Sequence, residues 1–232
     1  MSGREKQGVR EAIDILGESL DALRKNGNLE NTSTSKEEQK QENTGQDISS
    51  LLADEIAELK DNQKQDFVAW EMGMPSITFV ECRYEDGPSS ADLVFHLLDE
   101  SKKSGQNKSR FCKRFYPIDY STTSAIEDMK TLAETIAREH FPKDIKGEVK
   151  FSIDCERRAH SPDLERIDII NAFAFAISQP PYKVDLNNPE KTVLVNVIKG
   201  TCGASVVRDY RALQKYNLLQ CVSNGNDDSD NA

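Results

Sequence analysis

"VDLNNPEKTVLVNVIKGTCG", residues 184–203, is the stretch whose reading decides the fold. It is an apolar, β-branched run entered through Asn187-Asn188-Pro189 and left through Lys199-Gly200-Thr201-Cys202-Gly203. The run predicts a strand around Val193–Ile198, followed at once by a second around Ala204–Arg208. A lysine, two glycines and a cysteine at the mouth of such a strand raise three readings. Cys202 could be a nucleophile, the Lys199-Gly200 turn could present backbone N–H groups to a phosphate, or the small residues could serve packing alone. A nucleophilic cysteine needs a depressed pKa and usually a histidine in reach. His96, His140 and His160 stand in no sequence relation to Cys202 that suggests a dyad, so Cys202 reads as packing. The glycine spacing matches neither a P-loop nor a dinucleotide fingerprint.

Working outward, "GEVKFSIDCER" alternates Val149, Phe151, Ile153 and Cys155, the period of a half-buried strand. Upstream, Ile126, Met129, Ala133 and Ile136 mark a helix that ends near Phe141-Pro142. Downstream, Ser161-Pro162 predicts the N-cap and first-turn proline of a helix carrying Ile167, Ile170, Ala174 and Ile177, broken by "QPPYK". "FCKRFYPI" reads as a further strand, and Leu93, Leu97 and Leu98 as the apolar face of a helix that stops in "SKKSGQNKSR". "RALQKYN" reads as a last helical turn.

Near the N-terminus, Val9, Ile13, Leu16, Leu20 and Leu23 give an amphipathic helix ending at Gly27. Residues 28–46 hold a single apolar side chain and read as a disordered acidic insertion. Ile48, Leu52, Ile56 and Leu59 predict a second short helix, and "DFVAWEMG" and "PSITFVECRY" two strands. The expected division is a block at 1–74, a domain at 75–220 and a loose tail at 221–232.

Of 232 residues, 37% are hydrophobic and 30% charged, so segments must lie outside any core. The net charge of −10 is uneven: residues 1–74 hold 9 Lys+Arg against 16 Asp+Glu, while residues 75–220 hold 21 of each. A diffuse positive field is therefore excluded, and any nucleic-acid affinity must come from local clusters. No stretch approaches a membrane span. The charged start "MSGREKQGVREAID" is unlike a signal peptide, and five widely spaced cysteines without a C-x-x-C suit reduced thiols in the cytosol or nucleus.

Two clusters carry the binding chemistry. Residues 101–118 include Lys108, Arg110, Lys113 and Arg114 with no acid among them, interleaved with Phe111, Phe115 and Tyr116. That pattern suits single-stranded RNA, with charges following the backbone and rings stacking on bases. The alternative is a solvated loop whose phenylalanines are core. Arg157 and Arg158 stand where a strand exits toward a helix N-terminus, a sound place for a phosphate unless nearby acids pair with them. No carboxylate pair suggests acid–base catalysis, and no motif implies a cofactor, a metal or a small-molecule substrate.

The segment "KVDLNNPEKTVLVNVIKGTCGASVVRDYRALQKYNL" closely resembles the end of a THUMP domain. More narrowly it resembles the stand-alone eukaryotic THUMP proteins that assist an RNA cytidine acetyltransferase. "SRFCKRFYPI", "AIEDMKTLAETI" and "GEVKFSIDCERRAH" fall in the family's order. The resemblance implies an α/β (α+β) architecture: a ferredoxin-like domain lacking its first strand, then the THUMP domain. It implies a non-enzymatic adaptor in the nucleus, nucleolus or cytoplasm. That adaptor grips the 3′ acceptor end of serine and leucine tRNAs, so that its partner acetylates cytidine 12. The Lys199-Gly200 turn would then join the RNA-holding set.

Overall fold

In the computed structural model the described residues are 3–27, 66–70, 73–159 and 163–225. The predicted insertion at 28–46, the helix at 48–59, the Ser161-Pro162 cap and His160 lie outside them. The chain divides into two compact units, the first ending at Gly87 and the second beginning at Pro88.

The first unit contains α1 (Gly3–Gly27), β1 (Phe67–Trp70) and β2 (Phe79–Cys82). Ala12, Ile15, Leu16 and Leu20 fall on one helical face and are buried. The two strands pair antiparallel, Phe67 opposite Cys82 and Trp70 opposite Phe79. The expected boundary at 74/75 is therefore corrected: it would cut between two paired strands. Arg24 closes the helix end onto Asp66 with a two-pronged ion pair at 2.8 and 3.1 Å.

The second unit begins with α2 (Ser90–Ser104), capped by Ser89, whose Oγ accepts from Asp92 N, and ended by Gly105 at φ 63°. Then come β3 (Tyr120–Thr123), α3 (Ile126–His140), β4 (Val149–Arg158), α4 (Arg166–Ala174), β5 (Tyr182–Val184), β6 (Lys191–Ile198), β7 (Thr201–Val207) and α5 (Leu218–Gly225). The five strands form one mixed sheet in the order β3-β7-β6-β4-β5. β4 runs parallel to β5 and β6, while β7 pairs antiparallel with β6 and β3.

β6 is central, and Thr192 through Val197 are all buried. That is why the opening stretch reads as a continuous apolar run rather than an alternation. Its entry is set by Asp185, whose Oδ1 accepts from Asn187 N and Asn188 N at 2.9 and 3.0 Å. On one sheet face Phe151, Cys155, Val193, Val195, Val197, Cys202 and Ala204 pack against Met129, Ala133 and Ile136 of α3 and Ile169 and Phe173 of α4. On the other, Leu194 and Val207 meet Val94 and Leu98 of α2, Leu218 and Cys221 of α5, and Tyr210, Leu213 and Tyr216 between them. Asp119 ties the second layer to the sheet: one oxygen accepts from Ser90 N and Ser90 Oγ, and the other from Ser205 Oγ at 2.5 Å.

Three further expectations need correction. "FCKRFYPI" is not a strand; among the described residues only Arg114 bridges, to Asn217, with Phe115 N donating to Tyr216 O and Leu218 N to Lys113 O. Pro117 has no N–H to lengthen that ladder. The true strand nearby is the polar Tyr120–Thr123, which β7 recruits as its edge partner. The helix expected from Ser161-Pro162 begins instead at Arg166, with no side-chain cap from Glu165. Leu164 is buried, and its carbonyl accepts from Arg157 Nη1 at 2.6 Å, which holds the approach extended. The tail is not loose from residue 221, because Cys221 and Val222 are buried on α5 and Cys221 Sγ donates to Leu213 O.

Candidate nucleic-acid interface

The basic loop after Gly105 is shaped by one buried serine. Ser109 is 2% exposed; its Oγ accepts from Cys112 N at 2.8 Å and donates to Cys112 O at 2.7 Å. Both bonds close a tight turn around Ser109, and Lys108, Arg110, Lys113 and Arg114 are left exposed. Arg110 lies 5.6 Å from the ring centre of Phe111, itself exposed. A guanidinium over an accessible ring is a surface on which a base can stack. The two readings of the aromatics therefore divide by residue: Phe111 faces solvent, whereas Phe115 and Tyr116 pack against the second core.

The second cluster is assembled by strand register. Arg158 lies opposite Ile198, and Lys199 N donates to Arg158 O at 3.0 Å, so residues forty positions apart share one end of the sheet. Arg158, Lys199 and Gly200 are exposed there. A Cβ placed on Gly200 would meet nothing within 4 Å, so its backbone faces open space. Arg157 behaves differently: it is half-buried and committed to Leu164 O. The expected pair of phosphate ligands is thus one outward arginine and one structural arginine.

Cys202 is fully buried between Thr122 and Val197 on the neighbouring strands. Burial pushes its thiol up to about 12, the opposite of what nucleophilic attack requires. His140 is engaged by the Tyr120 hydroxyl at 2.7 Å. Gly203 is the glycine that packing demands, since a Cβ there would stand 2.8 Å from two carbons of Ile118. Among the described residues no group of three His, Cys, Asp or Glu side chains could hold a metal.

A third set escaped the sequence reading in all but Arg114. Arg114, Arg211, Gln214, Lys215 and Gln220 line a cleft of about 330 Å³. Its floor is a left-handed turn, with Gln214, Lys215 and Tyr216 at φ 51°, 54° and 58°. Left-handed backbone costs a non-glycine residue roughly 1–2 kcal/mol, so three in succession persist only if surroundings hold them. Here Tyr216 is fully buried with its hydroxyl donating to Arg208 O, and Lys215 N donates to Tyr210 O at 2.7 Å. "RALQKYN" carries no sequence signal for this handedness; only the two bases four residues apart hint at a cleft.

A mixed five-stranded sheet with helices on both faces, and basic residues gathered on its loops, defines an α/β architecture. Residues 123–207 match the THUMP domain, and the chain belongs to the THUMP-domain proteins. It is 29% identical over 230 residues to THUMP domain-containing protein 1 of Homo sapiens, covering 97% of this chain and 63% of that protein. It is 29% identical over 195 residues to a Saccharomyces cerevisiae protein named tRNA acetyltransferase TAN1, covering 79% of this chain and 63% of that one. The solution structure of the THUMP domain of THUMP domain-containing protein 1 is 37% identical, with a TM-score of 0.32. It aligns with 38% of this chain and 89% of the solved one. The chain spans a little under two thirds of the length of these two curated relatives.

Proposed function

We propose that this chain binds tRNA through its THUMP domain and presents it to a separate RNA cytidine acetyltransferase, without itself performing the acetyl transfer. The observation that carries the reading is the basic loop at 108–114, with its exposed Arg110–Phe111 surface, on a THUMP domain related to a protein named for tRNA acetylation. Arg158 and Lys199 supply a second cationic point. In the finer reading the 3′ acceptor end is the part gripped, serine and leucine tRNAs are the substrates, and cytidine 12 becomes N4-acetylcytidine. The name of the yeast relative favours a second reading, in which the chain is itself the acetyltransferase. The burial of Cys202, the one nucleophile the sequence nominates, supports the adaptor instead.

The test incubates purified chain, acetyl-CoA and tRNA with and without the acetyltransferase, and measures acetylcytidine. Product only in the complete mixture, with tRNA lacking its terminal CCA bound more weakly, is expected. Acetylcytidine formed by the chain alone would sink the adaptor reading. Equal binding of full and CCA-less tRNA would remove the acceptor-end assignment.

A further inference from the structure

We propose that the cleft lined by Arg114, Arg211, Gln214, Lys215 and Gln220 holds one nucleotide unit of single-stranded RNA, the cations taking its phosphate and the glutamine amides its base edge. The inference rests on the reading that the chain binds RNA, and it adds a place and a unit of recognition. This cleft lies outside residues 123–207, which match the THUMP domain. At about 330 Å³ it sits at the lower end of the range of roughly 300–1,000 Å³ for small-ligand sites.

Three cations and no carboxylate line it. Arg211 is exposed, and among the described residues no ion pair or hydrogen bond engages its guanidinium. Arg114 donates to the neutral hydroxyl of Tyr116 at 3.3 Å, which leaves its charge uncompensated by that bond. Lys215 has Asp154 at 3.9 Å, but Arg166 holds the same carboxylate at 3.2 Å, so Lys215 can turn to an incoming anion without stranding Asp154. A forked guanidinium and an ammonium converging on one space suit a phosphate. Gln214 and Gln220 each offer a donor and an acceptor on one plane, the pattern that a base edge complements. A surface meant for an acidic protein would need the cations alone; the paired amides in a concave site favour a nucleotide. The left-handed turn at 214–216 brings Gln214 and Lys215 into the lining beside Arg211, and Arg114 comes from a segment more than ninety residues earlier.

The experiment titrates the full chain with a fluorescently labelled short single-stranded RNA at several salt concentrations. Arg211→Gln should weaken binding roughly three- to tenfold and lower the slope of log affinity against log salt by about 0.7. Gln220→Ala should weaken binding roughly threefold with the slope unchanged, because an amide releases no counterion. Lys215→Gly relieves the left-handed backbone while removing the charge, so it keeps the fold and should repeat the Arg211→Gln result. Inorganic polyphosphate in place of RNA should bind without responding to Gln220→Ala. Affinity and slope of Arg211→Gln equal to wild type would overturn the cleft while leaving RNA binding elsewhere intact. A wild type that binds tRNA but not this single-stranded RNA would overturn the cleft alone, and one that binds neither would overturn both readings. Normal RNA binding by Arg211→Gln with acetyltransferase-supported acetylation lost would assign the cleft to an acidic protein surface and overturn the nucleotide.

Discussion

Adding one methyl group at Gly203 and one at Gly200 should have unequal consequences, although only two residues separate them. Gly203 lies mid-strand in β7, paired with Ser121 of β3 and Asn196 of β6. A Cβ there would stand 2.8 Å from Ile118 Cδ1, 2.8 Å from Cγ2 and 3.1 Å from Cγ1. Carbon atoms rest at about 3.5–4.0 Å, so the ring of contacts must open by roughly an ångström. Cδ1 can swing aside, but Cγ2 is bonded to Cβ and moves only if χ1 turns or the backbone shifts. The backbone is held on both sides: Pro117 precedes Ile118, and Asp119 N donates to Ala204 O at 3.1 Å. Overpacking of this kind costs about 1–3 kcal/mol, offset by about 0.4–1 kcal/mol from the stiffer unfolded chain. Gly203→Ala should therefore destabilise by roughly 1–2 kcal/mol. Gly200 meets nothing within 4 Å, so Gly200→Ala should stay within about 0.5 kcal/mol of wild type. Urea unfolding midpoints measure both. In the background of Ile118→Ala the Gly203→Ala cost should vanish, giving a coupling of about 1 kcal/mol or more in a double-mutant cycle. Equal midpoints for the two alanine variants, or strict additivity with Ile118→Ala, would refute the assignment of Gly203 to packing.

Three more outcomes follow from the same structure. At neutral pH an alkylating reagent should modify exposed Cys82 in the folded chain and spare Cys155, Cys202 and Cys221 until urea unfolds it, read by peptide mass. Burial raises those three thiols from 9 to about 11, 12 and 11, so their contribution to stability is complete below the ordinary thiol pKa. It should be lost as pH climbs from about 9 toward 11, because the unfolded thiols ionise first; a midpoint flat over that range would contradict their burial. On the RNA side, Arg110→Ala with Lys113→Ala should weaken tRNA binding and lower its salt slope by up to about 1.5 units. Lys36→Ala with Lys40→Ala removes the same formal charge and should do neither; equal losses for the two pairs would mean that net charge alone governs affinity.

The elements legible in the sequence are those whose burial is written in periodicity. Met129, Ala133 and Ile136 announce α3, and the apolar run at 193–198 announces a strand buried on both faces. The basic clusters were equally plain, because charge without a compensating acid is a compositional fact. Cys202 could be weighed against a nucleophile simply by the lack of a histidine partner, and burial agrees with that reading. Tertiary structure decided the rest, since those features depend on what lies opposite. Polar Tyr120–Thr123 is a strand only because β7 offers it an edge, and "FCKRFYPI" fails to be one because among the described residues its ladder stops at one isolated bridge, Arg114 to Asn217. Strand register alone brings Arg158 beside Lys199 and turns Arg157 inward to Leu164. The left-handed turn under the Arg114–Arg211–Lys215 cleft is stabilised by the buried Tyr216 ring and its hydroxyl bond to Arg208 O, against the preference of every residue in it. Local propensity cannot predict a conformation that distant packing imposes upon it.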